Sequence, residues 1–425
     1  MFQLQANQTN IKTECLAGLT TFSTMSYIIF LNPQILQQTG MDFGAVMAAT
    51  ILASSLATLG MGLLANFPFA LAPGMALNAF FTYGMVMGSG FSWQTALGIC
   101  FLGALLLLLL TVLGIRQKVM HAIPPSLRAA TTGGIGLFLA FIGLKNVGLV
   151  EAHSQTIITL GNLARPEVIL AALGVIVTAA LLSRKIPGAI FLGILMNWML
   201  GLLFGLVKWN GIVALPPSLE PTFLKLDLLS ALQPAAIPLL ISLVFVAMLD
   251  SAGTLLGLAD QARLLDQKGQ LPRANRALFN DSLGSIGGAI FGTSPVSIYL
   301  ESSAGISAGG RTGLTAVFVA AFFLLALFFT PFASSIPYFA TSPILIITGA
   351  LLLKPLRKLN WQEPAEFIPA FIILLAIPLT FSISTGIALG FITYPLIQLL
   401  AGRVREVHWM VWLLALLFGL KFAYL

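Results

Sequence analysis

The sequence has very few charged residues. Asp, Glu, Lys and Arg make up 8% of its 425 residues, and none of them lies between Asp42 and Arg116. An ordinary soluble domain has about 25% charged residues. Hydrophobic residues make up 58% of the chain, and apolar runs of about 17 to 25 residues, long enough to cross a bilayer, recur along it. The composition excludes a soluble enzyme and predicts a polytopic membrane protein.

Cysteine and histidine are also scarce. Cys15 and Cys100 are the two cysteines, and Cys100 lies in an apolar run where a thiol behaves as a small hydrophobe. His121, His153 and His408 lie near connections and lack the spacing of metal ligands. We therefore predict no disulfide, no metal site and no cofactor. The sequence also lacks a P-loop, so any transport is expected to be driven by an ion gradient.

The apolar runs predict an all-α membrane protein with fourteen spans, arranged as two series of seven. With an odd number of spans per repeat, the two halves must be inverted relative to each other. The first series covers residues 16–37, 45–66, 70–85, 92–115, 130–149, 166–183 and 187–206, and the second covers 232–258, 282–293, 295–310, 312–333, 341–354, 364–382 and 384–402.

Pro and Gly interrupt one span at corresponding places in each half. These broken spans are the third, at residues 67–75, and the tenth, at residues 292–297. Each is predicted to consist of a short extended segment followed by a half helix. Short, broken apolar segments at matching positions of two halves indicate the central site of a transporter.

Lys and Arg predict the orientation. If the amino terminus is cytoplasmic, most basic residues fall in inside connections, and the outside connections hold Lys145, Arg165, Lys208 and Lys225. We therefore expect a multi-pass protein of the cell (inner) membrane with a cytoplasmic amino terminus. The net charge of +7 reflects this topology, and no nucleic acid partner is predicted. Residues 409–425 are long enough either to span the bilayer or to lie in its interface.

Acids inside apolar segments are the first candidates for function. Asp250 and Glu301 are interpreted as the only two such acids, and an acid at the bilayer centre costs about 3 kcal/mol. Asp281, in the largest inside loop, is expected to be solvated. Asp250 is followed by small residues, and Glu301 comes just after the second break, where a helix restarts. Binding of a substrate or ion is favoured for both, and a structural hydrogen bond or helix cap is the alternative.

The broken segments supply the other candidates. Asn78 occupies the place in the first half that Glu301 occupies in the second, and its amide suits the edge of a heterocycle. Its alternative role is to hold helices together. Aromatic and hydroxyl side chains beside the breaks complete the predicted substrate-binding set of Asn78, Phe80, Asp250, Thr293, Tyr299, Glu301 and Ser302. Asp250 and Glu301 are also predicted to couple transport to protons, because burial favours the neutral acid.

Several stretches resemble the azaguanine-type purine permeases, a branch of the nucleobase:cation symporter-2 (xanthine/uracil permease) family. They are residues 18–33, 65–81, 249–255 and 292–302, together with the specific motif AGGRTGLTA at 308–316. The resemblance implies that the acids of the eighth and tenth spans, Asp250 and Glu301, hold the base, with Asn78 of the third span beside them. Many relatives have a polar or acidic residue three positions before the eighth-span acid, and Ala247 occupies that position here.

The resemblance also implies two domains. A core domain would consist of residues 1–115 and 231–333, and a gate domain of residues 116–230 and 334–425. The function expected from these features is import of a purine base (adenine, guanine or hypoxanthine) by proton symport, with the core moving against the gate. An anion carrier or exchanger of the same fold, a channel and a membrane-embedded enzyme are the alternatives. The sequence leaves open whether the protein is a monomer or a homodimer.

Overall fold

The protein is described from a computed structural model that covers residues 2–116, 122–209, 211–266 and 271–424. Lys118, His121 and Lys268 lie outside the described residues. Within these ranges, nine helices are long and apolar enough to cross a membrane, and three further apolar helices are shorter. The protein is therefore a multi-pass membrane protein.

Among the described residues, the first half contains eight helices and three strands. In chain order they are α1 (Ile11–Met25), α2 (Ile28–Leu36), α3 (Phe43–Gly60), β1 (Leu71–Pro73), α4 (Met75–Ala79), α5 (Trp93–Val112), α6 (Pro125–Asn146), β2 (Val150–His153), β3 (Ile157–Leu160), α7 (Pro166–Ser183) and α8 (Ala189–Leu203). A wider, π-helical turn continues α3 through Met61–Ala65 and α4 through Phe80–Gly88.

The described part of the second half contains ten helices and one strand. They are α9 (Leu228–Ala231), α10 (Ile237–Gln261), α11 (Ala274–Phe291), β4 (Val296–Ile298), α12 (Ser302–Ser307), α13 (Gly313–Ala326), α14 (Thr330–Ser334), α15 (Tyr338–Leu352), α16 (Pro364–Leu379), α17 (Ile383–Leu400) and α18 (Trp409–Tyr424).

The two broken spans meet in the middle of the molecule. β1 and β4 pair antiparallel, with Leu71 opposite Ile298 and Pro73 opposite Val296. Each strand leads into a short helix, α4 or α12, as the sequence predicted. The two breaks therefore satisfy each other, because the backbone groups that leave helical pairing bond across the strand pair instead.

The spans pack into two sets of helices. In one set, α13 packs on α1 and α3, and α11 packs on α3 and α5; in the other, α6 packs on α15 and α16, and α16 packs on α17. Gly136 of α6 and Gly349 of α15 lie against each other at one crossing. A Cβ on either glycine would lie within 2.5 Å of the other's carbonyl oxygen, so the two backbones are in direct contact.

The ninth span begins earlier than the sequence indicated. α11 starts at Ala274 rather than near residue 282, so Asp281 lies inside a helix and is 2% exposed. Its carboxylate pairs with the guanidinium of Arg116 at 2.8 Å and accepts a hydrogen bond from the Ser251 hydroxyl at 3.0 Å. The expectation that Asp281 is solvated is therefore wrong. Asn280 and Asp281, which made this segment look like a loop, are instead paired with Ala57 and Arg116 of other segments inside the protein.

Glu14 is another buried acid that the sequence reading passed over. It is fully buried in α1, and its carboxylate accepts hydrogen bonds from the backbone N–H groups of Arg311 and Thr315 at 3.1 Å. Glu14 therefore satisfies the free N–H groups at the start of α13. The interpretation that Asp250 and Glu301 are the only acids inside the membrane segments is wrong, since Glu14 and Asp281 join them.

The last helix, α18, packs along α17. Phe418 lies 6.1 Å from Phe391 of α17, measured between ring centroids, and Val411 and Phe418 are both buried. One face of α18 is thus attached to the body of the protein, while Leu416 on another face is 61% exposed.

Candidate functional site

The candidate site lies where the paired strands β1 and β4 meet α10, and this meeting point is called the crossing. The half helix α4 begins just after β1 and α12 begins three residues after β4, so the free backbone N–H groups of two short helices lie near the crossing. Pro73 is the last residue of β1 and Pro295 directly precedes β4, and neither can donate a backbone hydrogen bond. The residues that interrupt the helices thus also create a polar site within the membrane segments.

Asp250 approaches the crossing from α10. Its Oδ2 atom accepts a hydrogen bond from the hydroxyl of Ser297, in β4, at 2.7 Å. Gly74 makes this approach possible, because a Cβ at that position would lie 2.9 Å from the Ser297 hydroxyl and 3.4 Å from Asp250 Oδ2. The residue as a whole is partly exposed. Asp250 is therefore held by one hydroxyl group and remains accessible.

Glu301 lies on the other side of β4, at the position that precedes α12. Its side chain makes no capping hydrogen bond to that helix. Its Oε1 atom instead accepts a hydrogen bond of 2.6 Å from the hydroxyl of Tyr27, which lies in the bend between α1 and α2. Glu301 is partly exposed as well. The alternative role of helix cap does not describe this side chain.

Two tyrosines flank the acids. The ring of Tyr299 lies 6.5 Å from that of Tyr27, and its hydroxyl donates a hydrogen bond of 2.7 Å to the carbonyl oxygen of Pro73. Tyr299 thus connects the end of β4 to the end of β1 and places an aromatic ring between Asp250 and Glu301 in the chain's second half. The structure brings these three predicted residues to the same crossing.

Asn78 is fully buried in α4, the short helix that follows β1. Its Oδ1 atom accepts a hydrogen bond from Ser294, and its Nδ2 atom faces the sulfur of Met75 at 4.0 Å. Thioether sulfur is a weak acceptor, so this N–H group is the less satisfied end of the amide. Asn78 is close to the second broken segment but does not contact Asp250 or Glu301 through a hydrogen bond.

The three remaining predicted residues lie inside the supporting structure. Thr293 accepts a hydrogen bond from the side chain of Asn32 at 2.7 Å, and Ser302 accepts one from the backbone N–H of Ala70 at 2.9 Å. Phe80 is fully buried and packs beside Gly84. These contacts fasten the broken segments to neighbouring spans.

The sequence reading did not single out Tyr27 and Ser297. Tyr27 is 274 positions away from its partner Glu301, and a tyrosine in an apolar run gives no sign of such a distant contact. Ser297 lies in the broken segment itself, in the strand β4 that follows α11. A search for hydroxyl groups within the extended parts of broken spans would have found Ser297.

In the described part of the chain, no basic side chain neutralises the two acids of the site. Among the described residues, no Lys, Arg or His lies within 4.0 Å of the carboxylates of Asp250 and Glu301. Arg116 is buried, but it pairs with Asp281. The two acids can therefore bind donors from a substrate or accept protons without first breaking an ion pair.

One face of α10 beside the site is not covered by described residues. Gly253 and Gly257, on α10 between Asp250 and the helix end at Gln261, meet no described atom within 4 Å of an added Cβ. Elsewhere, Tyr83 packs edge to face against Phe138 at 6.0 Å, and Gln34 donates a hydrogen bond of 2.6 Å to the carbonyl of Ile336. These contacts join the first broken span and α2 to α6 and to the residues that precede α15.

The chain is similar to known permeases over its whole length. A family model described as "Permease family" (Xan_ur_permease) matches residues 12–389. A putative permease, MJ0326, of Methanocaldococcus jannaschii is 50% identical over 100% of this chain and 98% of its own. The adenine permease AdeP of Escherichia coli is 44% identical over 100% of this chain and 96% of its own. The guanine/hypoxanthine permease PbuO of Bacillus subtilis is 42% identical over 99% of both chains.

Solved structures with a similar fold are transporters. The transmembrane domain of a cyanobacterial bicarbonate transporter, BicA, has a TM-score of 0.65 at 16% identity, covering 91% of this chain and 97% of its own. The murine anion transporter Slc26a9 in its inward-facing state has a TM-score of 0.66 at 12% identity, covering 92% and 69%. At these identities the likeness concerns the fold alone, and it confirms the predicted pair of inverted seven-span repeats. From the family match and the relatives aligned along its whole length, the protein belongs to this permease family and is a transporter rather than an enzyme.

Proposed function

We propose that the protein imports purine nucleobases across the cell membrane by symport with protons. Relatives that align with the whole chain are named adenine permeases and guanine/hypoxanthine permeases, which supports a purine as the substrate. The structural support comes from the groups present at the crossing of the broken segments.

The observation that carries the proposal is the pair of partly exposed acidic residues, Asp250 and Glu301. Each accepts one hydroxyl hydrogen bond, from Ser297 and Tyr27 respectively. A purine presents N–H donors at its ring edges, and carboxylates are acceptors with further capacity. Hydrogen bonds to charged groups contribute about 1.5 to 3 kcal/mol each. The Tyr299 ring beside the acids offers a surface on which a flat base can stack.

The remaining candidates contribute in different ways under this proposal. Asn78 takes part in substrate binding through its Nδ2 donor, which faces the Met75 sulfur, and it fixes the register of the base. Thr293, Ser302 and Phe80 act on the substrate through the segments that they hold. A displacement of Thr293, Ser302 or Phe80 would therefore change the position of a base bound between β4 and α10.

Proton coupling is assigned to Asp250 and Glu301. A carboxylate surrounded by protein is more readily protonated than one in water, because burial penalises the charged form. Ala247 lies three positions before Asp250, so α10 offers no second acid at that point. Moving one elementary charge through 100 mV supplies about 2.3 kcal/mol, enough to concentrate a neutral base.

Transport is proposed to follow from movement of the core domain (1–115 and 231–333) against the gate domain (116–230 and 334–425). We propose that the site opens along the face of α10 that carries Gly253 and Gly257, toward the amino-terminal side, and the excess of Lys and Arg supports a cytoplasmic location for that side. The conformation is then the one that releases substrate inside. Separation of Tyr83 from Phe138 and of Gln34 from Ile336 would open the opposite path.

The test is uptake into proteoliposomes that contain the purified full-length protein. We expect labelled adenine, guanine or hypoxanthine to accumulate when the outside is made acidic, and a protonophore to abolish the accumulation. Uptake that equilibrates but ignores the pH gradient would contradict proton symport. Gradient-independent uptake of labelled bicarbonate, with no purine uptake, would instead support the anion carrier, which carboxylates at the site disfavour by repulsion.

A further inference from the structure

A groove outside the candidate site opens on the surface of the protein. It has a cavity volume of about 410 Å³ and lies between the ends of α3, α5 and α11. It is not connected through its lining residues to Asp250 or Glu301. Its walls are Leu64, Thr111, Val112, Asn275, Arg276 and Phe279.

One end of the groove is polar and positively charged. Arg276 and Asn275 are exposed in the first turn of α11. Among the residues that the structure describes, no carboxylate lies within 4.0 Å of the Arg276 guanidinium. The neighbouring Arg116 is paired with Asp281, and Arg273 lies over the ring of Phe67 at 5.1 Å. Arg276 is therefore the basic group available to a ligand in this groove.

The other end continues into the membrane as an apolar track. From Arg276, α11 presents Phe279 and then Leu283, which are 37% and 40% exposed. Opposite them, α5 presents Val112 and Leu109, which are 67% and 54% exposed. Residues three, four and seven apart lie on one helix face, and α5 packs against α11. Two parallel rows of apolar side chains, one on α11 and one on α5, thus lead away from the basic end.

We propose that this groove binds an anionic phospholipid. Arg276 and Asn275 would hold the phosphate of the head group, because guanidinium and amide groups are donors that match phosphate oxygens. One acyl chain would lie along the track formed by Phe279, Leu283, Val112 and Leu109. A soluble phosphate compound would use the polar end only and leave the apolar end uncovered, so the combination of the two ends favours a lipid.

The test compares lipids retained by three full-length variants with those retained by the unmodified protein, after purification from membranes containing phosphatidylglycerol and phosphatidylethanolamine. Arg276→Gln removes the charge from the groove. Arg263→Gln removes an exposed arginine from the same connection but outside the groove. Val112→Trp fills the groove and keeps every charge.

We expect Arg276→Gln to lower the ratio of bound phosphatidylglycerol to phosphatidylethanolamine about fivefold, the equivalent of about 1 kcal/mol for one arginine at a lipid surface. Val112→Trp should lower it similarly, and Arg263→Gln should leave it unchanged. Thermal stabilisation by added dioleoylphosphatidylglycerol should follow the same order, and glycerol 3-phosphate should not stabilise the protein.

Equal losses in Arg276→Gln and Arg263→Gln would overturn the proposal, because they would indicate a general attraction to a basic surface. Unchanged retention in Val112→Trp would overturn the acyl-chain track. Stabilisation by glycerol 3-phosphate equal to that by the lipid would replace the lipid with a soluble phosphate compound.

Discussion

At the residue scale, Glu301 accepts a hydrogen bond from Tyr27 and keeps acceptor capacity for a substrate. Glu301→Gln preserves the shape of the side chain and removes its charge. A hydrogen bond to a charged group is worth about 1.5 to 3 kcal/mol. We therefore expect a roughly tenfold to hundredfold loss of affinity for the preferred base. Binding of labelled adenine, guanine and hypoxanthine to the purified variant measures this loss.

Tyr27→Phe is the control for Glu301→Gln. It removes the hydroxyl that positions the carboxylate and keeps the charge, so its effect on affinity should be the smaller of the two. An unchanged affinity in Glu301→Gln would show that this acid has a structural role only.

Asp281 has a different role from the acids at the crossing, because its charge is already neutralised. Asp281→Asn leaves Arg116 buried without a carboxylate, and removing one partner of a buried ion pair costs about 3 to 5 kcal/mol. We expect a large fall in the thermal unfolding temperature of the purified variant. The double variant Arg116→Met/Asp281→Leu removes both charges and should recover most of the lost stability. Equal instability of the single and double variants would contradict this explanation.

At the scale of elements, the crossing of α6 and α15 depends on two glycines. A Cβ at residue 349 would lie 2.3 Å from the carbonyl oxygen of Gly136, which is too close for any side chain. Gly349→Ala is therefore expected to push the helices apart and to destabilise the protein by about 1 to 3 kcal/mol. Thermal unfolding measures the change.

Gly419→Ala is the matched control for this prediction. It also places an alanine within a helix, but no described atom lies within 4 Å of an added Cβ in α18. Its unfolding temperature should stay the same or rise slightly, because alanine favours helix over glycine. A normal unfolding temperature for Gly349→Ala would contradict the direct backbone contact.

The elements also show where a hydropathy pattern succeeds and where it fails. Pro and Gly at residues 67–75 and 292–297 predicted both broken spans, because proline cannot donate a helical hydrogen bond and several such residues fall together in each segment. The start of α11 was missed since Asn280 and Asp281 lower the hydropathy of its first turns. Those side chains are buried against Ala57 and Arg116, and only the folded protein supplies these partners.

At the scale of the whole molecule, Asp250 is predicted to link the proton gradient to movement. Asp250→Asn mimics the protonated acid and cannot release a proton. We expect the variant to exchange labelled base across the proteoliposome membrane but to fail to concentrate it when a pH difference is imposed. Proton-driven accumulation that survives in this variant would leave Glu301 as the coupling residue. Counterflow in the absence of a gradient is the control for a folded, active protein.

The direction of opening is a property of the whole molecule that cysteine labelling tests. In a background of Cys15→Ser and Cys100→Ala, Gly257→Cys should react with a membrane-impermeant maleimide applied from the amino-terminal side. Leu255→Cys, on the same helix, should stay unreactive because Leu255 is 2% exposed. Labelling of residue 257 only from the opposite side would contradict the proposed opening of the site toward the amino-terminal side.

The sequence by itself determined the class of protein, the number of spans, their inverted repetition and the places where two of them break. These features depend on composition and on local backbone chemistry, and both can be read along the chain. The sequence also identified Asp250 and Glu301, because an acid in an apolar run stands out without knowledge of its surroundings.

The tertiary structure alone decided how each acid is held. Glu14, Asp250, Asp281 and Glu301 are all acids within membrane segments, but their partners come from residues 30 to 301 positions away. Two of them are fully neutralised or capped, and two are held by a single hydroxyl each and stay open. That distinction arises from which spans pack together, and no local pattern records it.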